Sequence, residues 1–131
     1  MKKIVLAGVA LVALSVPALA AGDAASGEKV FNKCKVCHMI GEGAKTRIGP
    51  ELNGIVGRKA ASIEGFAYSE GLKDDAGKGL VWSADKLAEY LKNPKTFNPT
   101  TKMAFAGLPK DEDIADVIAY LQTFGADGKK Q

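Results

Sequence analysis

The sequence predicts a small all-α domain of a few short helices joined by long loops. Apolar residues recur at helical spacing in several stretches, the two-residue alternation of strands is almost absent, and 39–67 is glycine-rich without sustained periodicity. At the start, Lys2 and Lys3 precede an apolar run from Ile4 to Val16, followed by Pro17 and Ala18-Leu19-Ala20. That order is the pattern of a secretory signal peptide with cleavage after Ala20. The run is shorter than a bilayer-spanning helix and ends at small residues rather than at a charged stop. Residues 1–20 are therefore expected to be a removed signal and residues 21–131 a single domain. Losing 20 of 131 residues leaves 111, enough for only a modest core. Losing two of the 18 basic residues against 15 acids leaves a charge of about +1, which argues against a nucleic-acid partner. No later segment is long and apolar enough to span a membrane, so the mature chain is expected to be soluble.

In the mature chain, Gly27, Val30, Phe31 and Cys34 fall at helical spacing over 24–35, and Asp23 is placed to cap the helix. Glycines at 41, 43, 49, 54, 57 and 65 mark the next stretch as loop. A short helix is expected over 69–74. A clearer one begins after Ser83, sets Leu87, Tyr90 and Leu91 on one face and ends at Asn93-Pro94. The chain is then irregular to Pro109. The last helix runs over 111–124, with Asp111, Glu112 and Asp113 at its positive end and Gly125 as its stop. Ile114, Val117, Ile118, Leu121 and Phe124 form its buried stripe. So little regular structure makes a thin core, which a buried cofactor would complete.

Cys34-Lys35-Val36-Cys37-His38 is the haem-attachment signature. Two thiols on one turn add across the two vinyl groups of a haem as thioethers, and the adjacent histidine reaches the iron from one face. A redox-active Cys-x-x-Cys pair belongs on a thioredoxin-like alternation of strands and helices, for which there is no strand signal. A zinc site needs a fourth ligand, but Cys34 and Cys37 are the only cysteines and His38 is the only histidine. The lone histidine also forbids bis-histidine ligation. The second axial position falls to Met, Lys, Tyr, water or nothing. Met1 leaves with the signal, Met39 directly follows His38, and Met103 remains.

The mature chain resembles the class I cytochromes c, most closely the cytochrome c2 and mitochondrial-type branch. The matching residues run in order: Gly27 and Phe31 before the haem motif, Gly49-Pro50, Gly57-Arg58, Gly65-Phe66-Ala67-Tyr68 and Trp82. They continue with Glu89-Tyr90-Leu91, Asn93-Pro94, Thr101-Lys102-Met103, Phe105-Ala106-Gly107 and Ile118-Ala119-Tyr120-Leu121. The resemblance implies a small cytochrome c fold wrapped around one covalent haem, its terminal helices packed through Gly27, Phe31, Tyr120 and Leu121. It implies Cys34 and Cys37 as attachment points and His38 and Met103 as axial ligands. Pro50 would accept a hydrogen bond from His38, Arg58, Tyr68 and Trp82 would hold the propionates, and Tyr90 would bond the Met103 sulfur. Two features depart from the family. The stretch between Tyr68 and Trp82 is longer than in mitochondrial proteins, and Leu72 stands where an asparagine often orders a buried water.

A six-coordinate iron has no open position, so the expected function is one-electron transfer and not catalysis. The resemblance implies a periplasmic, monomeric shuttle from a quinol-oxidising cytochrome bc-type complex to a terminal oxidase or photosynthetic reaction centre. Lys33, Lys35, Lys45, Lys95 and Lys102 are expected to ring the exposed haem edge and steer brief docking. The competing class is a five-coordinate haem enzyme or a cytochrome c-prime. The latter is expected as a four-helix bundle with its motif near the C-terminus, whereas this motif opens the mature chain.

Overall fold

The computed structural model describes Gly8 and residues 22–131. The predicted signal segment, apart from Gly8, lies outside the described residues. Five helices appear among them: α1 (Ala24–Phe31), α2 (Glu70–Gly77), α3 (Ala84–Lys92), α4 (Pro94–Phe97) and α5 (Asp111–Gln122). Described residues form no extended strand, only isolated antiparallel bridges between Lys59 and Val81 and between Phe124 and Lys130. None of the described helices is long and apolar enough to cross a membrane.

Asp23 caps α1 as expected, accepting from the Ala25 amide at 3.1 Å and from the Ser26 hydroxyl at 2.9 Å. The helix ends at Phe31, before the predicted boundary. The chain then tightens into i→i−3 turns, with Lys33 donating to Val30 and Cys34 to Phe31. Ser69 and Ser83 cap α2 and α3 through bonds to the Leu72 and Lys86 amides. α2 extends three residues past its predicted end because Ala76 as well as Leu72 turns into the core. α4 was not anticipated. Asn93-Pro94 does end α3, but the Asn93 side chain also accepts from the Thr96 amide, and proline at the first helical position loses no hydrogen bond.

The terminal helices α1 and α5 pack together at the centre of the fold. Gly27 lies so close to α5 that a Cβ there would collide with the Asp116 carbonyl and the Tyr120 side chain. Phe31, essentially fully buried, meets Tyr120 with ring centroids 5.4 Å apart. The buried Asp116 carboxylate accepts from the Asp23 amide at 2.7 Å, closing the start of α1 onto α5. A second, aromatic cluster joins Trp82, Tyr90 and Phe97, with centroids 5.1 to 5.7 Å apart, and locks α3 and α4 to the strand-like segment before them. Two irregular segments, residues 38–58 and 98–108, hang from this frame.

Candidate functional site

The turns after α1 carry the two cysteines and the histidine. The His38 amide donates to the Cys34 carbonyl at 2.9 Å, so the thiols and the imidazole sit on one coil of backbone. Burial pushes the Cys34 thiol up to about 11, with Lys33 opposing the rise and Cys37 adding to it. A redox-active dithiol needs the opposite shift, toward a thiolate near neutral pH. No three His, Cys, Asp or Glu side chains of the described residues gather as a metal-ion site.

Loop residues 39–58 clasp the imidazole. Gly49 donates to the Cys37 carbonyl at 2.9 Å and Leu52 to the Met39 carbonyl at 3.0 Å, which brings the loop across the ring. Gly49 lies against the ring so tightly that a Cβ would overlap it. The Pro50 carbonyl lies 2.7 Å from His38 Nδ1 and accepts its proton. Burial lowers the His38 pKa, with the Pro50 bond opposing, so the ring is neutral at neutral pH and Nε2 carries the free lone pair. Asn53 anchors the loop by accepting from the Gly41 amide at 2.7 Å and donating to the Gly41 carbonyl at 2.9 Å.

The methionine side is built from hydroxyls. Tyr90, on α3, points its hydroxyl at Met103 Sδ, 3.9 Å away, and shares a hydrogen bond with Thr101 Oγ1 at 3.1 Å. Thr101 Oγ1 also accepts from the Met103 amide at 3.2 Å. Burial raises the Tyr90 pKa, so the phenol stays protonated and able to donate. Leu72 is buried, and no buried side-chain polar atom of the described residues lacks a partner. A cleft of about 450 Å³ runs beside this loop, lined by Asn93, Lys95, Met103 and Phe105.

Other predicted site residues are only partly brought together. Arg58 and Trp82 are joined through backbone, Trp82 donating to the Arg58 carbonyl at 2.8 Å. The Arg58 guanidinium is partly committed: it donates to the Glu51 carboxylate at 3.4 Å and to the carbonyls of Asn53 and Glu51 at 3.1 and 2.9 Å. Two of its five N–H groups have no such bond. Tyr68 accepts from the Ile63 amide at 3.0 Å. Lys33, Lys35, Lys45, Lys95 and Lys102 are all exposed, and Lys102 donates to the Ala67 carbonyl at 3.2 Å. Asn53 and Thr101 were not assigned roles from sequence, because a polar residue in an aperiodic loop carries no positional signal of its partner.

The family described as Cytochrome c matches residues 24–125. The chain belongs to the cytochrome c family. It is 58% identical over 106 residues to cytochrome c-550 from Ancylobacter novellus, covering 81% of this chain and 99% of that one. It is 48% identical to cytochrome c2 from Blastochloris viridis over 131 residues, the whole of both chains. Among solved structures, cytochrome c2 from Rhodospirillum centenum superposes with a TM-score of 0.75 at 36% identity, covering 79% of this chain and 99% of that one. These likenesses make it a class I c-type cytochrome of the cytochrome c2 kind, an electron-transport haem protein. The residues fit the covalent haem c that this cytochrome family implies. The two thiols lie on one turn, Nε2 of a neutral histidine is free, and a thioether sulfur is steered by a phenol.

Proposed function

We propose that this cytochrome is a one-electron shuttle whose haem c is attached through Cys34 and Cys37 and ligated by His38 and Met103. The observation that carries the reading is that each proposed ligand has its own hydrogen-bond partner: Pro50 for His38 at 2.7 Å, Tyr90 for Met103 at 3.9 Å. The haem, when bound, supplies the one-electron couple of its iron. The chain's own residues set the terms. The Pro50 carbonyl accepts the hydrogen bond from Nδ1–H, which fixes the tautomer and raises the basicity of Nε2. Tyr90 donates to one lone pair of the Met103 sulfur and leaves the other for the iron. Arg58, through its remaining N–H groups, together with Tyr68 and Trp82, receives the propionates.

His38 and Met103 would together occupy the iron's remaining ligand positions, leaving no site for substrate and suiting the protein to electron transfer rather than catalysis. Thioether ligation and apolar surroundings both disfavour the additional charge of the ferric state and place the potential high for a haem. The exposed lysines favour brief, charge-steered docking of a monomer with acidic redox partners. The chemistry suits a periplasmic carrier, its segment 1–20 removed on export, that takes electrons from a cytochrome bc-type complex. A terminal oxidase or a photosynthetic reaction centre would receive them.

The test is the absorption spectrum of the ferric, haem-loaded protein. A weak near-infrared sulfur-to-iron band is expected, and its loss in Met103→Ala assigns it to Met103. A high-spin ferric spectrum without the band overturns the reading and directs attention to ligand binding or peroxidase chemistry.

A further inference from the structure

Once the chain leaves α4 it forms no helix until α5, and the Met103 loop makes few backbone bonds of its own: Thr101 to Asn98 at 2.9 Å, Phe105 to Met103 at 2.9 Å and Leu108 to Leu91 at 2.8 Å. What else holds it is a set of side-chain bonds across to the turn that starts α2. Asn98, only 2% exposed, donates from Nδ2 to Ser69 Oγ at 2.8 Å. Its Oδ1 accepts from the Thr100 amide at 3.2 Å and the Thr100 hydroxyl at 2.8 Å. Thr100 Oγ1 in turn accepts from the Gly71 amide at 2.8 Å. A Cβ on Gly71 would lie 2.5 Å from Asn98 Oδ1 and 2.6 Å from Thr100 Oγ1, so α2 approaches the loop as nearly as backbone can.

We propose that Asn98 is a positioning residue for Met103: its buried carboxamide latches the methionine loop to the N-terminus of α2 through Ser69 and Thr100. This inference rests on the reading of Met103 as an axial ligand. Met103 itself is tied by two backbone bonds within its own loop, to Thr101 Oγ1 and from the Phe105 amide, and its side chain only by one long phenol contact. How often its loop opens is therefore governed by the bonds that close the loop further along the chain. Asn98 is the most deeply buried of these, and its carboxamide alone joins the buried Ser69 hydroxyl to Thr100.

The experiment is imidazole binding to the ferric, haem-loaded protein, followed by loss of the sulfur-to-iron band, since imidazole takes the iron only when Met103 lets go. Asn98→Ala lowers the imidazole midpoint about tenfold, equivalent to about 1.4 kcal/mol. Thr100→Val shifts it in the same direction, whereas Thr100→Ser, which keeps the hydroxyl, stays near the unmodified protein. Asn98→Ala combined with Ser69→Ala shifts it by less than the sum of the two, as partners in one bond must. Phe31→Leu, at the α1–α5 contact, loosens the fold while leaving the midpoint in place. An unchanged midpoint in both Asn98→Ala and Thr100→Val, with the band intact, overturns the latch and leaves Met103 ligation standing. An equal shift in Phe31→Leu overturns it too, by reducing the effect to general loosening. Absence of the band from the unmodified protein removes the ligand assignment and the latch together.

Discussion

His38 and Met103 are held by different kinds of structure. His38 lies four residues beyond Cys34 on the same coil and is clasped by a loop whose carbonyls and amides reach it directly, with Pro50 at 2.7 Å and Gly49 against the ring. Met103 sits in an irregular stretch and is held through hydroxyls, that of Tyr90 on α3 at 3.9 Å and that of its near neighbour Thr101 at 3.2 Å. The histidine side is thus fixed by the backbone of a crossing loop and the methionine side by side-chain hydroxyls. The site should open on the methionine side first.

The strongest way to challenge that contrast is Gly49→Ala. The added methyl has no room beside the imidazole, and a loss of about 3 kcal/mol of global stability is expected from denaturant unfolding of the haem-loaded protein. Asn53→Ala comes next. It leaves the Gly41 amide and carbonyl without their partner and costs about 2 kcal/mol in the same assay. Tyr90→Phe has the smallest effect, about 1 kcal/mol, and a local one. The near-infrared band should vanish at a lower temperature while the helical circular dichroism signal melts almost unchanged. If Tyr90→Phe instead melted band and helices together, the two sides would form one cooperative unit and the contrast would collapse.

The fold was legible where period and caps agree. Asp23 and Ser83 cap the helices they were expected to cap, and the α5 stripe from Ile114 to Leu121 is buried. α4 was missed because Pro94 reads as a stop from its N-terminal side and as a start from the other, and only the Asn93–Thr96 bond decides. Arg58 was expected at the propionates, yet much of its hydrogen bonding goes to Glu51 and Asn53, partners fixed by the loop's path and not by any local pattern. Asn98 and Thr100 were invisible for a similar reason: their partners Ser69 and Gly71 lie 29 residues away.

The Cys34 thiol carries a consequence for biogenesis. Burial pushes the Cys34 thiol up to about 11 in the folded chain, so far less of it is thiolate at neutral pH than of an exposed cysteine. The same burial that keeps the finished site dry would starve the bond-forming step of its nucleophile. If Cys34 carries the haem as proposed, its thioether would form more readily before the chain closes, and folding around the attached ring, rather than capture by a finished pocket, would be the order of assembly.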